Sequence, residues 1–240
     1  MMNEHTRIRN PLKIIIGVVL ILSGLGILGM QQITFSTFNG YYTDEEYFES
    51  SLTQAEYAQE VNDYLKADGI ETPLVLQTDE RWANETYGLD GGQNIAENGC
   101  APASLAMVLA YHEQRNVSPS EITDWAQAKY YVAGSGTDWS IFADFAKANN
   151  LTYHDLGADF TKAQPYLEKG IPVVVSALPG EFTDNGHIMV LGYYQAEEDG
   201  LTILDPNDDP EKAHSYNWYG ANEYADQFQH YWTFTKDTAL

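Results

Sequence analysis

The hydrophobic period changes at Gly170, and that change limits the folds open to this chain. Before it, apolar residues recur at three- to five-residue spacing. After it come short β-branched runs: "IPVVVSA", "HIMVLGYY", "LTILDP" and, near the end, "HYWTFT". Helical spacing buries one face of a helix, whereas dense short runs bury strands. The turn-like "QAEEDG" between the second and third runs predicts an antiparallel hairpin. Helices first and strands later predict an α+β fold with an antiparallel sheet, not alternating βαβ units.

Helix boundaries follow from local chemistry. Asp44–Asp68 has Tyr47, Leu52, Tyr57, Val61 and Leu65 in helical register, with Gly69 as a stop. "PLVLQ" (73–77) reads as a short strand, and an Asn/Gly/Asp-rich loop follows it. A helix from about Pro102 to Tyr111 presents Leu105, Val108, Leu109 and His112 as its apolar face. Pro102 suits its first turn. Ser118 caps the next helix, with Pro119 in its first turn and Glu121 completing a capping box. Trp139–Ala148 is a third helix. Phe160–Lys169 is a fourth, opened by Asp159 or by Thr161 with Gln164 and closed by Gly170.

The chain begins with Arg7, Arg9 and Lys13 against one acid, Glu4. Ile14–Met30 then carries no charge. Seventeen helical residues span roughly 25 Å, and Leu12 and Ile33 lengthen the apolar stretch, enough to cross a bilayer. A cleaved signal peptide is the rival reading, although "LGMQQITF" lacks an A-x-A pattern. The expected organisation is a cytoplasmic basic flank (1–13), a transmembrane anchor (14–33), a linker or stalk helix (34–72) and a folded domain (73–240). The basic flank places that domain outside the cell membrane, single-pass or secreted. Nine basic and thirty-four acidic residues follow Met30, a net charge of about −25. That charge disfavours nucleic acid and other polyanions as partners. It favours neutral or basic ones.

One cysteine among 240 residues cannot form an internal disulfide. Cys100 stands in "NGCAPASLAMVLAYH", just ahead of a buried helix. Free N–H groups and the dipole at a helix start stabilise a thiolate. A base is then required. Of the six histidines, His5 lies in the basic flank, and His112 is about 18 Å along the same helix from Cys100. His154, His214 and His230 stand in segments with no second catalytic feature. His187 opens an apolar strand directly after a turn. Asp205 closes the next strand, eighteen residues on, so a hairpin brings the two together. The carboxylate then fixes the imidazole tautomer.

These blocks, "LQTDERWANETYG", "GCAPASLAMVLAYH", "GHIMVLGYY" and "ILDPND", resemble the papain-like cysteine peptidases of the bacteriocin-processing group, family thirty-nine, in a form without a transporter. The resemblance spans about residues 73–234. It implies Cys100 as nucleophile, His187 as general base, Asp205 as orienting acid and an upstream glutamine as oxyanion donor. Gln77 matches the motif best. Gln93 competes, because a spacing of seven before the cysteine is close to the six typical of papain-like enzymes. The family usually has Cys-Gly-Pro where this chain has Cys100-Ala101-Pro102, a change tolerable if the backbone there is not at positive φ. The leader-cleaving role of transporter-fused relatives does not carry over.

The expected reaction is acyl transfer to water, with a peptide or protein as substrate. A cell-wall amidase or a transglutaminase-like transferase uses the same three residues, and a catalytically inactive surface module keeps the scaffold without the chemistry. No cofactor is expected, since no zinc-ligand spacing or phosphate-binding glycine loop occurs. Asp205, Asn207 and Asp209 resemble the start of a calcium loop, but Pro210 replaces its glycine. Ser104 reads as an ordinary helix residue.

Overall fold

The computed structural model describes residues 52–89 and 93–236. Residues 1–13 and the apolar stretch 14–33 lie outside them. Among the described residues no helix is long and apolar enough to cross a membrane.

Helix α1 (Gln54–Ala67) opens with a complete capping box. The Thr53 hydroxyl accepts the Glu56 N–H, and the Thr53 N–H donates to the Glu56 carboxylate. Tyr57, Val61 and Leu65, one turn apart, are buried in the main core. Gly69 ends the helix region at φ 77°. The 34–72 segment expected as a linker or stalk therefore contains a helix that shares the core of the domain placed at 73–240.

The strand expected at 73–77 does not form; the segment joins no sheet and its last residue, Gln77, begins a turn. Side chains take the place of a neighbouring strand. Asn62 donates to the Leu74 carbonyl and accepts the Leu74 N–H, at 3.0 and 2.7 Å. The Trp82 indole N–H donates to the Leu76 carbonyl at 2.7 Å. Buried backbone needs partners, but not strand partners.

Next come α2 (Ile95–Asn98), α3 (Cys100–Glu113) and α4 (Pro119–Ala126). Helix α3 departs from the single apolar face expected. All ten residues from Ala101 to Ala110 are buried, so this stretch has no solvent side. Alanines at 101, 103, 106 and 110 let neighbouring elements approach closely. A helix apolar on all sides belongs inside the fold. At α4 the Ser118 hydroxyl accepts the Glu121 N–H, and Pro119 fills the first turn. The expected capping box is only half made, because the Glu121 carboxylate binds Arg115 instead.

A small hairpin, β1 (Tyr131–Val132) and β2 (Gly136–Thr137), precedes α5 (Ser140–Ala148). The remaining elements are β3 (Thr152–Gly157), α6 (Phe160–Leu167), β4 (Val173–Ala177), β5 (His187–Gln195), β6 (Gly200–Leu204), β7 (Trp218–Gly220), α7 (Ala221–Tyr224) and β8 (Phe228–Thr235). Asp159 caps α6 through the Thr161 N–H. Six strands form one sheet in the order β3-β8-β4-β5-β6-β7, and every pairing is antiparallel. The expected α+β class, with helices and an antiparallel sheet, is the observed one. The short strands β1, β2 and β7 and the longer β3 have no counterpart among the runs expected from the sequence. β3 is a partly exposed edge strand with Leu156 as its one buried residue, so it carries little apolar signal.

Alternation along the central strands explains their dense apolar runs. Val174, Ile188, Val190, Trp232 and Phe234 face the core shared with α1, α3, α4 and α5. Val173, Val175, Met189, Leu191 and Tyr231 face a second core under α6 and Phe182. Both sheet faces are covered, which strands apolar at every position require.

Candidate active site

Cys100 is the first residue of α3. Gly99 caps that helix without a side-chain hydrogen bond, so the opening N–H groups have no side-chain acceptor there. Gly99 is needed for space. A Cβ there would strike the Ile95 carbonyl oxygen and side chain, because α2 runs into α3 through this single residue. Cys100 is partly exposed. Ala101, the departure from the family's glycine, is helical and not among the residues at positive φ. Its methyl group is buried in the core without left-handed strain.

His187 opens β5 and pairs across the sheet with Ala177 of β4. Leu204, the last residue of β6, pairs with Val190 of β5, so Asp205 emerges beside the start of β5. His187 Nε2 lies 2.7 Å from Asp205 Oδ1. A carboxylate only accepts, so Nε2 carries the proton and Nδ1 is left for the sulfur. Ser104, one turn into α3, donates its buried hydroxyl to the Ile188 carbonyl at 3.3 Å. That bond ties the nucleophile's helix to the residue after the histidine.

The charges fit this geometry. Burial alone pushes the Cys100 thiol up. The His187 imidazole and the Ile188 and Ala101 N–H groups outweigh it and hold the thiol below its ordinary range. Burial opposes a charge on His187 as well. Asp205 and the Cys100 sulfur outweigh that and push its pKa up to about 10. For Asp205, burial raises the pKa, but bonds from His187 and His214 and from the Asn207 N–H hold it well below the carboxylate range. Each shift favours a thiolate beside an imidazolium, with the acid ionised behind it.

The two glutamines separate. Gln77 is buried. Its N–H donates to the Pro206 carbonyl at 2.7 Å, and its side-chain amide donates to the Ala96 carbonyl at 2.6 Å. It thus joins the residue after Asp205 to the helix that leads into Cys100. Its side-chain carbonyl oxygen is buried without a protein partner. Gln93 instead accepts the Tyr131 hydroxyl of β1 and lies against Gly88.

The segment around His214 shows no second catalytic feature in the sequence, yet the structure brings His214 to the site. His214 Nδ1 lies 2.7 Å from Asp205 Oδ2, so one carboxylate joins two imidazoles. Nothing local in "EKAHSYN" signals this; the contact needs the turn after β6. Asp208 is buried below. Its carboxylate accepts the His214 and Ser215 N–H groups at 2.9 and 2.7 Å and the Tyr57 hydroxyl at 3.0 Å. Burial and the nearby Asp205 charge push its pKa up. Ligand atoms of Asp205, Asp208 and His214 lie within 4.8 Å of one another. They are engaged in these protein hydrogen bonds. Asp209, the third acid of the calcium-like stretch, accepts the Glu211 and Lys212 N–H groups. The other described histidines bond elsewhere: His112 to the Phe234 carbonyl, His154 to Thr235 and His230 to Asp155.

Several solved structures are similar to this chain. The peptidase domain of Streptococcus ComA, a bi-functional ABC transporter involved in quorum sensing, is 20% identical with a TM-score of 0.45. That match covers 58% of this chain and 93% of that one. A C39-like peptidase from Bacillus anthracis is 18% identical with a TM-score of 0.46, over 69% and 94%. A double glycine motif protease from an AMS/PCAT transporter, solved with its leader peptide, is 19% identical with a TM-score of 0.40, over 57% and 84%. No curated protein matches significantly. Residues 69–240, which include Cys100, His187 and Asp205, match the Peptidase_C39 like family, and the chain belongs to it.

Proposed function

We propose that this protein is a cysteine peptidase that hydrolyses peptide bonds through Cys100, His187 and Asp205. The observation that carries the reading is the His187–Asp205 bond of 2.7 Å at the mouth of the helix that begins with Cys100. The thiolate attacks the scissile carbonyl. The His187 imidazolium then protonates the leaving amine, and neutral imidazole activates the water that releases the acyl group. Asp205 keeps the proton on Nε2, so Nδ1 serves the sulfur in both steps. The oxyanion is held by backbone N–H at the start of α3 and by the Gln77 amide, whose second N–H is not committed to Ala96. Each such donor is worth about 3 kcal/mol in the transition state.

The strong acidity of the chain favours basic peptides. In this reading residues 14–33 anchor the protein in the cell membrane, and the catalytic domain faces outward, where it meets secreted or cell-wall peptides. The test incubates the full chain and its Cys100→Ala variant with a defined peptide library and with purified peptidoglycan, scored by mass spectrometry. New peptide termini that need Cys100 support the proposal. Products from peptidoglycan alone make the protein an amidase, and equal products from both proteins remove the catalytic reading.

A further inference from the structure

We infer that His214 is a positioning residue of this site: its ring N–H occupies the second oxygen of Asp205 and thereby turns the first toward His187. The inference rests on the catalytic reading above and adds a residue to it. Asp205 has 1% of its side chain exposed, so water is a poor substitute at either oxygen. The nearby backbone donors are already committed. The Asn207 N–H bonds Oδ1, the His214 and Ser215 N–H groups bond Asp208, and the Asp205 N–H donates to the Ser215 hydroxyl. The His214 ring reaches Oδ2, at 2.7 Å.

A buried carboxylate oxygen stripped of its donor either swings toward another donor or takes up a proton. Either response loosens the hold on His187. The surroundings make protonation easier, because a second buried carboxylate, Asp208, lies alongside. The groups facing this cluster are Asp208 from the same turn, the Tyr57 hydroxyl from α1 and His187 from β5, with Cys100 beyond it. Lys212 and Asp209, on the same turn, pair with each other at 3.0 Å.

The His214 ring also packs edge-on against Phe182, at 5.4 Å between centroids. Packing and hydrogen bonding therefore need separate variants. His214→Phe keeps an aromatic ring and loses the donor. His214→Asn keeps an N–H near the position of Nδ1 and loses the ring. The measurement is the rate of Cys100 alkylation by iodoacetamide against pH in the full chain, which reports the thiolate without any substrate. In the unaltered protein the acid limb is expected well below that of a free thiol. In His214→Phe it moves up by about one pH unit, with alkylation about tenfold slower at pH 6, as loss of one charge-assisted bond implies. In His214→Asn it stays close to the unaltered protein.

A His214→Phe limb that does not move overturns the inference and leaves the catalytic reading standing. So does a His214→Asn limb displaced as far as that of a free thiol, and this outcome decides the matter if His214→Phe does not fold. A free-thiol profile in the unaltered protein removes the catalytic reading, and this inference with it.

Discussion

Helix α3 carries Cys100 in a shell of apolar side chains, whereas the turn after β6 carries Asp205 in a net of hydrogen bonds. On the first side, Leu105, Met107 and Val108 pack with Tyr57 and Phe142 in the main core. On the second, two buried carboxylates are held by His187, His214, Tyr57 and the backbone of the turn. Apolar packing is indifferent to pH and insensitive to direction. Charge-assisted bonds are directional and titrate. One side therefore sets where the sulfur is, and the other, together with the N–H groups beside the sulfur, sets which ionisation state it has.

Substitutions that act on one side only break this comparison open. Cys100→Ala removes the nucleophile, and activity against the substrate peptide is expected to fall by about 10⁴-fold or more. The variant should still melt cooperatively in calorimetry, because the helix is held by its neighbours and not by the sulfur.

Asp205→Asn keeps the shape and removes the charge. A fall in kcat/KM of about a hundredfold is expected, with the acid limb of the pH–rate profile moved upward. The wild-type profile should lose activity on its alkaline side near pH 10, where His187 gives up its proton. The stability effect has a definite sign. The folded Asp205 pKa is depressed, so its stabilisation is present above about pH 4 and lost as pH falls through the folded value. Urea titrations between pH 5 and pH 3 should show stability falling with acid, and less steeply in Asp205→Asn.

The apolar side should respond in the opposite way. Leu105→Ala deletes a fully buried side chain and is expected to cost about 3 kcal/mol in urea unfolding. Its alkylation profile against pH should match the wild type. A displaced acid limb in that variant would mean that packing and ionisation are not separable here.

Ser104→Ala is the smallest change and falls on the seam between the two sides. Losing its bond to the Ile188 carbonyl should cost about 1 kcal/mol. It should lower kcat more than it alters the pH limbs, because it moves β5 relative to α3 and leaves the charges in place.

Much of the fold was legible in the residues. Capping by Thr53 was not foreseen, but Ser118, Asp159, Gly69 and Gly170 act where local chemistry puts them. The four β-branched or aromatic runs form strands, because a strand apolar at every position has to be buried on both faces. The same signal fails for "PLVLQ", where Asn62 and Trp82 serve the backbone that a strand would have served. It fails also for β3, an edge strand whose polar residues Thr152, His154 and Asp155 give no apolar run to read.

The sequence by itself determined the order of Cys100, His187 and Asp205 and the types of element that carry them. A turn, a helix start and a strand end are local events, governed by residues within a few positions. Tertiary structure alone decided that His214 meets the far side of Asp205. It also decided that Gln77, not Gln93, lies between the acid's turn and the approach to the helix, and that α1 reaches Asp208 through Tyr57. Each of these is a contact between side chains far apart in the fold or across an irregular turn, where no backbone period exists to be read. Burial makes those contacts matter, because a charge taken out of water has to find its partner within the protein.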